Sequence, residues 1–229
     1  LEIIKDIHEV DDVSGHAYLV GDDSELVLID TGMPGNASKI IDYIVKINKE
    51  PSEVKWIVLT HYHLDHVGSV QKLKALTGAA VAIHEDDVEF VAEKKTLPSP
   101  KGVIGILVKV ASFFYKTPTV QPDIILHEAD RIGNLAVVHT PGHTPGSISL
   151  YDSEKKVIFV GDAFRFVDGK IEGPPERFTI DMDKGLKSIG KICQLEFDVM
   201  LSGHGEPLKP DASLRVKEFY SSVQNDSPC

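Results

Sequence analysis

The chain has 229 residues, 42% of them apolar, enough for one α/β domain with a substantial core. Its 35 acidic residues outnumber 24 basic ones for a net charge of -11, with no basic run, which argues against a nucleic-acid partner. Two cysteines, Cys193 and Cys229, make no disulfide framework and fit a reducing, cytoplasmic setting, and neither a signal-peptide pattern nor a run of about 18 apolar residues suggests a membrane.

Three short strands are expected at 2 to 7, 16 to 20 and 25 to 29, separated by turn signals at Ser14-Gly15 and Gly21-Asp22-Asp23. The third runs into Asp30-Thr31-Gly32, where Asp30 either braces a neighbouring loop or simply forms a turn. From 34 to 47, Ile40, Ile41, Ile44, Val45 and Ile47 recur at helical spacing. A buried strand, Trp56 to Thr60, follows and delivers His61-Tyr62-His63-Leu64-Asp65-His66 at its end. Three imidazoles and a carboxylate in six positions are wasteful unless a cation satisfies them. A short loop turns His61 and His63 toward one ion, while Asp65 and His66 face a second ion or the opposite side. A helix over 68 to 77 is expected to abut His66 with its N-terminus and help keep the ring neutral.

Beyond a strand at 79 to 84 and a helix through Glu93, the rhythm breaks. Residues 94 to 121 hold Pro98, Pro100 and Pro118 around an apolar stretch, Val103 to Tyr115. This insertion reads as a lid or binding wall, with Phe113, Phe114 and Tyr115 as substrate contacts; a core helix and a homodimer interface are the alternatives. Strands resume near 124 to 126, 135 to 138, 147 to 151, 156 to 160 and 199 to 201, with helices over 181 to 192 and 211 to 223. Loops at strand ends carry His143 in Pro141-Gly142-His143-Thr144-Pro145-Gly146, whose two Pro and two Gly fix a tight, shaped loop, Asp162 in Gly161-Asp162, and His204 in Ser202-Gly203-His204-Gly205, where the flanking glycines allow close backbone approach.

Gathered together, His61, His63 and His143 form one donor set and Asp65, His66 and His204 another, with Asp162 free to bridge. Nitrogen and carboxylate donors without thiolate suit zinc best, and iron or manganese less well. His139 is a candidate support for His143, whereas His8, His16, His84 and His127 have no motif context and read as structural.

The ordered pattern His-x-His-x-Asp-His, Pro-Gly-His-Thr-Pro-Gly, Gly-Asp-Ala and Ser-Gly-His-Gly resembles the metallo-β-lactamase superfamily, in its glyoxalase II and lactonase-like branch. The resemblance covers nearly the whole chain, read as one domain over 1 to 229. It implies an α/β fold, an αβ/βα sandwich of two mixed β-sheets flanked by helices, with a dinuclear zinc site whose bridging hydroxide is the nucleophile. Asp162 would hold both ions and Asp65 would orient the attacking hydroxide. The implied activity is hydrolysis of a small carboxylic ester, thioester, lactone or β-lactam; the stretch Val103 to Tyr115, read as a lid, adds an expected preference for substrates with an apolar group. A mononuclear iron persulfide dioxygenase and a non-catalytic zinc-binding protein are the alternatives. Glyoxalase II enzymes normally add a C-terminal helical domain, for which 25 residues after His204 leave no room. Lactonases of this fold carry Tyr three residues after the bridging Asp; this chain has Arg165, which either clamps a substrate carboxylate or makes a surface ion pair.

Overall fold

The computed structural model describes residues 1–21, 25–92 and 119–225. They fall in two compact units, Leu1–Leu126 and His127–Cys229. The stretch Val103 to Tyr115, with Phe113, Phe114 and Tyr115, lies outside the described residues, as do Asp22, Asp23 and Cys229.

The first unit is built on a sheet of order β1-β2-β3-β4-β5-β6-β7. Its antiparallel part is β1 (Glu2–Ile4), β2 (Ile7–Glu9), β3 (Tyr18–Val20) and β4 (Leu26–Ile29). The single strand expected over 2 to 7 is instead a hairpin, because Asp6 turns the chain at φ 63°. From β4 the sheet becomes parallel through β5 (Val54–Val58), β6 (Ala80–His84) and β7 (Ile124–Leu126). Parallel strands need crossovers, supplied by α1 (Ala37–Lys46) and then by α2 (Leu64–Val67) with α3 (Val70–Thr77). Ile40 and Ile44 of α1 and Val70 and Leu73 of α3 bury one helical face each against Leu28, Ile57 and Val81. Each such side chain contributes about 1.5–3 kcal/mol of burial. Gly78 closes α3 in the left-handed conformation at φ 74°. Past β6, a 3-10 turn (Glu85–Asp87) leads into the short α4 (Val88–Val91) where one helix was expected.

The second unit carries a sheet of order β14-β11-β10-β9-β8. Its strands are β8 (Arg131–Ile132), β9 (Leu135–His139), β10 (Ile148–Asp152), β11 (Val157–Phe159) and β14 (Val199–Leu201), antiparallel except for β11 beside β14. A separate hairpin, β12 (Arg165–Val167) and β13 (Lys170–Glu172), turns at Asp168 and Gly169, both with positive φ. It and β8 were not foreseen, since two- and three-residue strands leave too few positions for a period-two pattern. Helices α5 (Met182–Ile192) and α6 (Ala212–Asn225) complete the unit. Ile189 and Ile192 of α5 and Val216 of α6 pack with Ile158 and Met200. Asp181 caps α5 by accepting a bond from the Lys184 N–H at 3.0 Å. Both units therefore hold a mixed sheet with helices against it. None of the described helices is long and apolar enough to cross a membrane.

Candidate metal centre

In the first unit β4 and β5 run side by side, so the residues leaving them, Asp30 and Thr60, meet. Asp30 adopts φ 58°, a left-handed conformation that costs a non-glycine residue about 1–3 kcal/mol unless its surroundings hold it. They do. Its Oδ1 accepts from the Thr60 N–H at 2.8 Å, and its Oδ2 accepts from Thr60 Oγ1 at 2.7 Å and from His66 Nδ1 at 2.8 Å. All three residues are buried. A carboxylate only accepts, so His66 Nδ1 carries a hydrogen and Nε2 is the nitrogen that has the lone pair when the ring is neutral. The hydroxyl proton of Thr60 is likewise committed to Asp30, so its oxygen meets His61 Nδ1, 3.1 Å away, as an acceptor. In the neutral ring His61 Nε2 is thereby the nitrogen with the lone pair. It lies 3.2 Å from His63 Nδ1, close to the roughly 3.3 Å edge expected between two nitrogens about 2.0–2.1 Å from one tetrahedral zinc.

The partially exposed Asp65 points Oδ2 toward His66 Nε2 at 3.9 Å. The Ser14-Gly15 turn presses on the backbone here, and a Cβ on Gly15 (φ 72°) would lie 2.1 Å from the Asp65 carbonyl oxygen. One expectation is corrected. His66 does not precede a helix N-terminus but sits within α2, in its last turn, and α3 begins only at Val70. Its tautomer is set by Asp30 rather than by a helix dipole, because a one-turn helix has little dipole to offer. Asp30 is thus a brace. Thr31 adds to it, donating its N–H and its hydroxyl to the His66 carbonyl, both at 2.7 Å.

The second unit holds His143, Asp162 and His204 at the ends of β9, β11 and β14. Asp162 Oδ2 faces His143 Nε2 at 3.3 Å and His204 Nε2 at 3.7 Å, so one carboxylate oxygen addresses both imidazoles. His143 and Asp162 are buried, while His204 is about one-third exposed (36%). The His143 loop is seated on α5. A Cβ on Gly142, at φ 144°, would stand 2.3 Å from the Gly185 nitrogen, and Ser188 Oγ donates to the Pro141 carbonyl at 2.7 Å. Backbone bonds from Ile180 N to the His143 carbonyl and from Asp181 N to that of Gly142 complete the seat. The Asp162 and His204 loops are laced by Gly203 N donating to Gly161 O at 2.8 Å. Gly205, at φ 97°, lets the backbone approach Phe166, whose carbonyl oxygen a Cβ would meet at 2.3 Å.

His139 supports this loop from below, donating from Nε2 to the Pro145 carbonyl at 2.9 Å. Its own N–H goes to Glu128 Oε2 at 2.6 Å, and Lys191 Nζ spans Glu128 and the His139 carbonyl. Burial works against the charge on Glu128, but the Lys191 ammonium and the His139 N–H outweigh it and hold the carboxyl below its ordinary range. Arg165 pairs with Glu172 across the β12–β13 hairpin. His84 caps the 3-10 turn by accepting from Asp86 N, His127 lies by Asp130, His16 by Tyr18 and His8 by Tyr43. Sequence reasoning missed Thr60 and Thr179, whose hydroxyls meet His61 and His143 at Nδ1.

A search against protein-family models matches residues 10–204 to the metallo-beta-lactamase superfamily. Among curated proteins, a probable metallo-hydrolase of Bacillus subtilis, YflN, is 30% identical over 90% of this chain and 86% of its own length. The hydroxyacylglutathione hydrolase GloC of Haemophilus influenzae is 31% identical over 88% and 90%. Among solved structures, a metallo-beta-lactamase family protein of Thermus thermophilus aligns with a TM-score of 0.75 at 21% identity, covering 97% of this chain and 81% of that one. The family match spans both half-sets of donors from His61 to His204, and on that ground the chain belongs to the metallo-β-lactamase superfamily.

Proposed function

We propose that the protein is a hydrolase with two zinc ions, one held by His61, His63 and His143 and the other by Asp65, His66 and His204, with Asp162 shared between them. The observation that carries this reading is the single Asp162 oxygen at 3.3 and 3.7 Å from His143 Nε2 and His204 Nε2. Once both imidazoles are neutral, as metal ligands must be, their lone pairs repel that oxygen unless cations lie between them. The lone pairs that Asp30 and Thr60 leave on His66 and His61 point to the same requirement.

Bound there, two divalent ions supply a nucleophile at neutral pH and polarise a carbonyl oxygen. The chain's own residues do the rest. Asp65, whose carboxylate is one-third exposed (34%), is positioned to accept a proton from the attacking group and release it to solvent. Asp30 and Thr60 hold the first-unit donors in the productive tautomer.

The substrate class that we favour is a small thioester, with esters and lactones following. GloC, of nearly this chain's length, is a hydroxyacylglutathione hydrolase, so the thioester class does not demand the extra helical domain of glyoxalase II enzymes. A panel of S-acyl glutathiones, aryl esters, acyl lactones, a β-lactam and glutathione persulfide tests this directly. Thioester hydrolysis with the highest kcat/KM is expected, without oxygen uptake. Oxygen consumption on the persulfide, with no hydrolysis of any acyl compound, overturns it. Within that assay Asp65→Asn is expected to retain the ion at His61, His63 and His143 while losing rate; unchanged turnover removes Asp65 from proton transfer.

A further inference from the structure

We propose that Thr179 is the positioning residue for His143, fixing a hydrogen on Nδ1 so that Nε2, on the side of Asp162, is the nitrogen available to a metal. This rests on the metal-centre reading above only for its consequence, since Thr179 places the hydrogen on Nδ1 with or without an ion.

Thr179 Oγ1 donates to the Pro175 carbonyl at 2.9 Å, and a carbonyl only accepts, so the one hydroxyl hydrogen is spent there. The same oxygen lies 3.2 Å from His143 Nδ1 and has only lone pairs left to offer. Nδ1 must therefore carry a hydrogen, which leaves Nε2, 3.3 Å from Asp162 Oδ2, as the nitrogen that offers a lone pair once the ring is neutral. A neutral imidazole in water prefers the opposite tautomer, with hydrogen on Nε2, so the site has to impose this one.

Thr179 is well placed to impose it. The next residue donates its N–H to the His143 carbonyl at 3.2 Å, and Asp181 N donates to the Gly142 carbonyl at 3.0 Å. His143 is thus gripped by one short segment at its backbone oxygen and at its ring. The Phe178 N–H closes the turn by donating to the Pro175 carbonyl at 3.0 Å, which presents the acceptor that Thr179 uses. Thr60 does the same for His61, with the Asp30 carboxylate as the acceptor instead of a carbonyl.

The test uses the full-length protein with Thr179→Val, which keeps the shape and removes the hydroxyl, and Thr179→Ser, which restores it. Nitrogen-15 spectra of metal-free protein at mildly alkaline pH read the tautomer of His143. Wild type and Thr179→Ser are expected to show hydrogen on Nδ1, and Thr179→Val to shift toward hydrogen on Nε2. Zinc competition with a chelator is expected to show about 10–100-fold weaker binding of one ion in Thr179→Val, with Thr179→Ser near wild type. An unchanged tautomer in Thr179→Val, or a serine that behaves like valine, overturns the proposal. A wild type that shows the Nδ1 hydrogen yet takes up no metal overturns the dinuclear reading while leaving Thr179 its role.

Discussion

The two half-sets of donors solve one problem with different electrostatics. In the first unit the imidazoles of His61 and His66 are backed by a buried anion, Asp30, directly for His66 and through Thr60 for His61. In the second, His143 is backed by a neutral hydroxyl whose proton ends on a backbone carbonyl. Both arrangements free the nitrogen that a metal needs, but an anion behind an imidazole also makes it more basic and a stronger donor. The negative charge of the second unit is in front of the ring instead, on Asp162. The first unit therefore sets charge behind its imidazoles, and the second sets a carboxylate in front of its own.

That contrast can be broken at several points. Asp162→Ala removes the carboxylate that faces both His143 and His204, and it is expected to lose at least one metal and several orders of magnitude in turnover. Metal content and kcat measured together check this, and wild-type values would remove Asp162 from the shared position. Asp30→Asn attacks the other half. Its amide nitrogen, turned toward His66, would donate and force Nδ1 to accept, moving the hydrogen onto Nε2. Expected are a loss of about 10–100-fold in affinity for the ion at Asp65 and His66, and about 1–3 kcal/mol of folding stability, read by chelator competition and denaturant unfolding.

The smallest effect concerns the strut beneath the His143 loop. Glu128 has a lowered carboxyl, so its contribution is present above its ordinary pKa of 4.5 and disappears as pH falls through the lowered value. Because the side chain is half exposed, Glu128→Gln is expected to lower Tm at neutral pH by roughly 1–2 °C. The gap to wild type should close in scans well below pH 4.5. A gap that persists in acid would mean that the loop is held by packing at Gly142 and Gly185 and not by this charge.

The seven candidate donors stood out in the sequence because each follows an apolar strand and lies in a short motif rich in His, Gly and Asp. Gly205, beside His204, signalled close approach, which it displays against Phe166. Asp30 was half legible, since an acid after a strand reads equally as a turn, and only the β4–β5 pairing brings it beside Thr60. Thr179 carried no signal at all. It stands 36 positions from His143, in a segment without periodicity, and its role exists only because Gly142 packs against α5. Tertiary contact of this kind leaves no local pattern.

The central claim is that the chain holds two ions. Elemental analysis of protein purified without added metal, normalised to chain concentration, tests it most directly. The account predicts about two zinc ions per chain, falling to one or none in Asp162→Ala. About one iron per chain, or no metal in a folded and active protein, would contradict it.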